Sequence, residues 1–173
     1  IASYGLFNKI EEGGLVENLD LTYSHISSNF IYSEVDKQFN FGGIAAINNG
    51  TIENCKVTFN NANITAGNSM NFGGVAGING GTIKNNDTKF SGIFGKINID
   101  VNTISEGASI YIGGIAGINR GTITGSLELP NVAAPDYTFG SAGFDCSANI
   151  KVTKNVDTEE VGVTAIGGAA GYH

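Results

Sequence analysis

Apolar side chains recur at alternate positions in short stretches of this chain. They do so at Leu19, Leu21 and Tyr23, and again at Cys55, Val57 and Phe59. A period of two sends successive side chains to opposite faces of an extended backbone, so each stretch predicts a β-strand with one buried face. Further strand-like runs are Asn63-Ile64-Thr65, Ile97-Asn98-Ile99-Asp100-Val101 and Ile150-Lys151-Val152-Thr153. No stretch sustains the 3.6-residue repeat of an amphipathic helix, so almost no helix is expected.

The strands belong to a repeated phrase. Phe41-Gly42-Gly43-Ile44-Ala45-Ala46-Ile47-Asn48-Asn49-Gly50-Thr51-Ile52 returns as Phe72-Gly73-Gly74-Val75-Ala76-Gly77-Ile78-Asn79-Gly80-Gly81-Thr82-Ile83. A third copy runs from Ile112-Gly113-Gly114 to Thr122-Ile123, and a fourth stops at Ile166-Gly167-Gly168-Ala169-Ala170-Gly171-Tyr172. A degenerate copy opens the chain as Tyr4-Gly5-Leu6-Phe7, then Gly13-Gly14-Leu15-Val16. Gly43, Gly74, Gly114 and Gly168 lie 31, 40 and 54 residues apart. A kept phrase with variable spacing fits one solenoid turn per copy, with insertions between turns.

Val16 to Tyr23 aligns with Ile52 to Phe59 and with Ile83 to Phe90, while the copy from Ile123 to Leu129 drifts. Asn18, Asn54 and Asn85 interrupt the alternation in these copies. Asn tolerates left-handed backbone, so each is placed at a corner or bulge. Asn48-Asn49-Gly50, Asn79-Gly80-Gly81 and Asn119-Arg120-Gly121 are turn chemistry between strands. The expected fold is all-β: a single β-solenoid domain over 1–173 of about four turns with irregular insertions. Its repeats fall at 4–23, 41–59, 72–90 and 112–129, with a partial copy at 166–172. Stacked turns are expected to bury Val16, Ile52, Ile83 and Ile123 in one column and Tyr23, Phe59 and Phe90 in another. Each Gly-Gly pair is expected where the chain bends or backbones approach closely.

These copies resemble the GLUG motif, a short repeat of the form Gly-Gly-apolar-x-Gly-x-Asn-x-Gly-x-Ile-x-Asn-Cys. Gly42 to Cys55 matches it except for Ala46 at a Gly position; Gly73 to Asn86 matches it with Asn86 in place of Cys; the stretch from Gly113 departs at Gly125 and Ser126. The resemblance implies a repetitive β fold in a large bacterial secreted or cell-surface protein, often adhesin-like. The motif also occurs in non-catalytic parts of streptococcal immunoglobulin A-cleaving metalloproteases. It carries over no catalytic residue.

Composition narrows the partners. Gly is 26 of 173 residues and Pro only 2, a balance that suits tight turns and excludes collagen. The formal net charge is −7, with 9 Lys and Arg, so the basic face that nucleic acid requires cannot be built. No apolar run approaches the roughly 20 residues of a membrane-spanning helix, so no membrane insertion is expected. The chain opens at Ile1 without Met and ends at His173. It therefore reads as a fragment of a larger protein. Val161 to Ile166 is uncharged and strand-like, with no visible cap, so further repeats or end-to-end self-association are expected beyond it.

Candidate chemistry resolves into structure at each place. Gly73-Gly74-Val75-Ala76-Gly77 precedes a turn and a strand, not the helix a dinucleotide loop requires. Glu17, Glu53 and Lys84 align in one outward column, and Asp20, Lys56 and Asp87 in another. Opposite charges on neighbouring strands pair, which accounts for these columns without acid–base catalysis. His25 sits in a polar run with no nucleophile elbow nearby, and His-Glu-x-x-His is missing. Cys55 and Cys146 make no metal pattern; Cys55 is expected to be a buried free thiol, and Cys146 to lie in an irregular stretch after Pro130 and Pro135. The positions after the glycine pairs lack the Asp of calcium-binding nonapeptides. Thr51, Thr82 and Thr122 form one column but lack the second Thr of an ice-binding face.

No catalytic, cofactor-binding or metal-binding residue is therefore assigned, and no cofactor is expected. The expected role is non-enzymatic: a stalk or adhesive segment outside the bacterial cell, with a host protein or glycan as partner. The alternative is an accessory, non-catalytic domain of a secreted enzyme, such as an immunoglobulin A-cleaving metalloprotease or a glycan-processing β-helix protein.

Overall fold

A computed structural model describes residues 2–30, 38–66, 69–84, 92–103, 108–124, 144–154, 164–167 and 170–173. The described residues are all-β, with no helix among them. The strands come in successive passes. The first is β1 (Ala2–Tyr4), β2 (Phe7–Ile10), β3 (Leu15–Glu17), β4 (Asp20–Tyr23) and β5 (Ile26–Phe30). The second is β6 (Phe39–Gly42), β7 (Ala45–Asn48), β8 (Thr51–Glu53) and β9 (Lys56–Ala66). The third is β10 (Met70–Gly73), β11 (Ala76–Asn79), β12 (Thr82–Lys84) and β13 (Gly92–Thr103). The fourth is β14 (Ile110–Gly113), β15 (Ala116–Asn119), β16 (Thr122–Thr124) and β17 (Phe144–Lys154), followed by β18 (Thr164–Gly167) and β19 (Ala170–Tyr172).

Each pass contributes to the same four sheets in the same order. The first sheet runs β1-β6-β10-β14-β18 and the second β2-β7-β11-β15-β19. The third runs β3-β8-β12-β16 and the fourth β4-β9-β13-β17, with β5 also on β9. Among the described strands every pairing is parallel, and no sheet closes on itself. Hydrogen bonds between passes continue through the bends: Gly43 N donates to Gly74 O at 3.2 Å and Asn54 N to Lys84 O at 3.1 Å.

Equivalent residues of the phrase stand in register, so like packs on like. Val16, Ile52, Ile83 and Ile123 form one column. Ile52 and Ile83 are fully buried, while Val16 and Ile123, on the outer strands, are half-buried against the core. Phe39, Met70 and Ile110 form a second column, and Phe41, Phe72 and Ile112 a third. The Phe41 and Phe72 rings stack with centroids 5.2 Å apart and planes 2° from parallel. Val57, Phe59 and Ile64 of β9 face the same core. Burying each such side chain contributes about 1.5–3 kcal/mol before entropy is counted.

The glycines mark where backbones meet. A β-carbon at Gly73 would overlap the Ala76 carbonyl oxygen and stand 2.7 Å from the Ala116 Cα. Gly42 and Gly113 are confined in the same way. The corners between the third and fourth sheets are made by Asn18 (φ 56°) and Asn54 (φ 52°), in the left-handed region where Asn is tolerated.

Four expectations are corrected. The second, third and fourth passes each have four strands, where the phrase, the alternating run after it and the strand-like runs at Asn63, Ile97 and Ile150 suggested three, because the Gly-Gly bend splits the phrase into strands of different sheets. The runs at Asn63, Ile97 and Ile150 are the second halves of β9, β13 and β17, not separate strands; only in the first pass do two strands, β4 and β5, cover that length. The alignment through Phe90 gives way to another register: Gly92 pairs with Lys56 and Gly95 with Phe59, the partners expected of Asp87 and Phe90, which lie outside the described residues. Likewise Cys146 lies within β17, in register with Gly95, and not in an irregular stretch. The cause is the same in both: long-range pairing in the fourth sheet sets the register. Asn85, Phe90 and Leu127 to Leu129 lie outside the described residues.

Candidate functional site

Charged side chains on the third and fourth sheets pair with one another. Glu17, Glu53 and Lys84 stand in one column, and Lys84 Nζ lies 3.1 Å from Glu53 Oε2. Glu53 is only 14% exposed, so this pair is partly shielded from water. Asp20 and Lys56 are also in register, at 3.9 Å, but both are well exposed, and such a pair contributes at most about 1 kcal/mol. An acid–base pair needs two carboxyl groups facing a common substrate space. Here the Glu53 carboxylate is engaged by a lysine, and Glu17 is exposed on an outer strand.

The main polar feature is internal. Asn48, Asn79 and Asn119 are buried and in register. Asn48 Nδ2 donates to Asn79 Oδ1 at 2.8 Å, and Asn79 Nδ2 to Asn119 Oδ1 at 2.8 Å. The Asn119 amide reaches His173 Nδ1 at 3.0 Å, so His173 continues the Asn column where the last phrase has no Asn. Each amide also faces backbone: Asn48 Nδ2 lies 3.3 Å from Thr82 O, Asn79 Nδ2 3.3 Å from Thr122 O, and Asn48 Oδ1 accepts from Gly50 N at 3.2 Å. In the first pass Ile10 takes this position and is buried. The sequence marks these residues as turn formers; their recurrence at one place in the phrase was the sign of a stacked column.

A shorter amide pair occupies the first sheet. Asn71 Nδ2 donates to Asn40 Oδ1 at 2.6 Å. In the next pass Tyr111 stands in place of Asn, and Asn71 Oδ1 is buried without a hydrogen-bond partner.

Other weighed residues have structural surroundings. Tyr23 donates its hydroxyl to Gly43 O and stacks on Phe59, centroids 5.4 Å apart and planes at 9°. Burial raises its pKa. Cys55 is a buried free thiol, with Sγ 3.2 Å from Glu53 O. Burial pushes this thiol up, which disfavours the reactive thiolate. His25 is exposed between β4 and β5. Thr51, Thr82 and Thr122 do share one column.

Among the described residues, no three His, Cys, Asp or Glu side chains gather as a metal site, and no helix is long and apolar enough to cross a membrane. Set against known proteins, the chain matches no protein-family model, and neither a curated protein nor a solved structure is found to be similar to it.

Proposed function

We propose that the chain is a β-solenoid whose four sheets are its faces, and that it serves as a non-enzymatic repeat module, a stalk or adhesive segment of a bacterial protein outside the cell. One observation carries this reading. Among the described residues, the buried amides and the most shielded carboxylate are engaged in stacking: the Asn48–Asn79–Asn119 column bonds to itself and to backbone, and Glu53 is held by Lys84. Stacked passes of this kind build a rod whose outer faces can space or present a binding surface. The resemblance of Gly42 to Cys55 to the GLUG motif supports the extracellular setting, with a host protein or glycan as partner. The test is an array of glycans and host extracellular proteins probed with the purified chain. Retention of a partner in unaltered form is expected. Cleavage of a glycan or peptide by the purified chain would overturn the non-enzymatic reading.

A further inference from the structure

Two asparagines of the chain stand directly before a glycine, in Asn49-Gly50 and Asn79-Gly80. A glycine has no β-carbon to shield its nitrogen, and its backbone turns freely, so that nitrogen can close on the side-chain amide carbon of the preceding asparagine. The fold treats the two steps differently. Asn79 is fully buried, and its amide is held at both ends: Oδ1 accepts from Asn48 Nδ2 and Nδ2 donates to Asn119 Oδ1, each at 2.8 Å. The Gly80 nitrogen donates to Asn48 O at 2.7 Å, a backbone bond between passes. Asn49 lies one residue past the column and is exposed. The Gly50 nitrogen donates to the Asn48 side chain at 3.2 Å, a longer bond within the turn itself.

We infer that Asn49 is a site of spontaneous deamidation, and that the amide column shields Asn79 from the same reaction. Hydroxide takes the proton of the Gly50 nitrogen, which attacks Asn49 Cγ. The new carbon–nitrogen bond forms as the Cγ–Nδ2 bond breaks, and ammonia leaves with a proton taken from water. A water molecule then opens the five-membered imide at either carbonyl, giving aspartate or isoaspartate. The sum is amide plus water to carboxylate plus ammonium, with nothing oxidised or reduced. At Asn79 the same closure must first break both bonds of the column and the bond from Gly80 to the neighbouring pass. The product at Asn49 carries a new negative charge on a chain whose formal net charge is already −7. Isoaspartate also adds a main-chain carbon between β7 and β8, where Gly50 is confined: a β-carbon there would stand 2.3 Å from Gly14 O. The inference rests on these local contacts and holds whether or not the chain acts as a stalk.

Peptide mapping by mass spectrometry reads both sites after prolonged incubation at mildly alkaline pH, in plain buffer and in concentrated guanidinium chloride. In denaturant, where the passes are apart, Asn49 and Asn79 should both convert. In buffer Asn49 should still convert, while Asn79 should convert at least about tenfold more slowly than in denaturant, because the buried hydrogen bonds must open first. Isoelectric focusing of the folded chain should show an acidic form growing with time, and Asn49→Ala should lack most of it. Three results each overturn the inference: Asn49 intact in buffer over a time that converts it in denaturant, Asn79 converting equally fast in both, or Asn49→Ala gaining the acidic form at the rate of the parent.

Discussion

Asn79 donates its side-chain amide to Asn119 across 40 residues of chain, at 2.8 Å, in a site closed to solvent. It also accepts from Asn48, so one side chain ties three passes together. Deleting the middle member takes the acceptor at 2.8 Å from the Asn48 amide, which keeps only its longer contact with Thr82 O, and the Asn79 donor from the Asn119 oxygen, and buried groups that lose partners are costly. Asn79→Ala should therefore destabilise the chain by about 2–5 kcal/mol. Asn49→Ala, at an exposed position one residue from the column, should change stability by less than about 0.5 kcal/mol. Urea denaturation of the two variants beside the parent gives the comparison; equal midpoints for all three would show the column to be energetically idle.

Ile83 sits between Ile52 and Ile123 and is fully buried. Truncation there removes apolar contact with both neighbours and opens a cavity that strands held on each side cannot collapse. Ile83→Ala should cost about 2–5 kcal/mol. Ile123→Ala, on the outer strand and half-buried, should cost clearly less. A reversed order in chemical denaturation would contradict the stacking of this column.

The bend at Gly73 tests the backbone contacts. A methyl group there meets the Ala76 carbonyl and the Ala116 Cα, neither of which is the end of a flexible side chain. Gly73→Ala should lower the thermal midpoint far more than Gly80→Ala, where the nearest atom is the side-chain oxygen of Asn49. Comparable midpoints for the two variants would mean that adjacent passes leave room for a methyl group at the bend.

The Cys55 thiol predicts a pH dependence. Burial raises its pKa, and the Glu17 and Glu53 carboxylates act in the same direction against backbone hydrogen bonds that lower it. An unfolded thiol ionises near about 8.5. Above that pH the unfolded chain has released a proton that the folded chain keeps, so stability falls as pH rises toward the folded value. Below it, this contribution is fully present. The Tyr23 phenol, also raised by burial, adds a second decline that begins near about pH 10. Denaturation midpoints tracked from neutral pH upward should show a shallower first decline in Cys55→Ala than in the parent; parallel curves would show that the buried thiol does not contribute.

The sequence by itself determined the features that depend on neighbours a few residues apart. Alternation at Cys55, Val57 and Phe59 specified a strand with an inner face, and all three are buried. Asn18 and Asn54 at the breaks specified left-handed corners, and both have positive φ. The repeated Thr-Ile step specified the column of Ile52, Ile83 and Ile123, because identical short phrases adopt the same local geometry and so stack in register. Tertiary structure decided the register beyond each connection of variable length. Gly95 pairs with Phe59, and Cys146 lies in a strand, because hydrogen bonding across the fourth sheet sets the register. It also decided the role of the phrase's asparagines. A residue suited to a turn and a residue suited to an amide column look the same along the chain, and only the spacing of stacked passes brings Asn48, Asn79 and Asn119 within bonding distance.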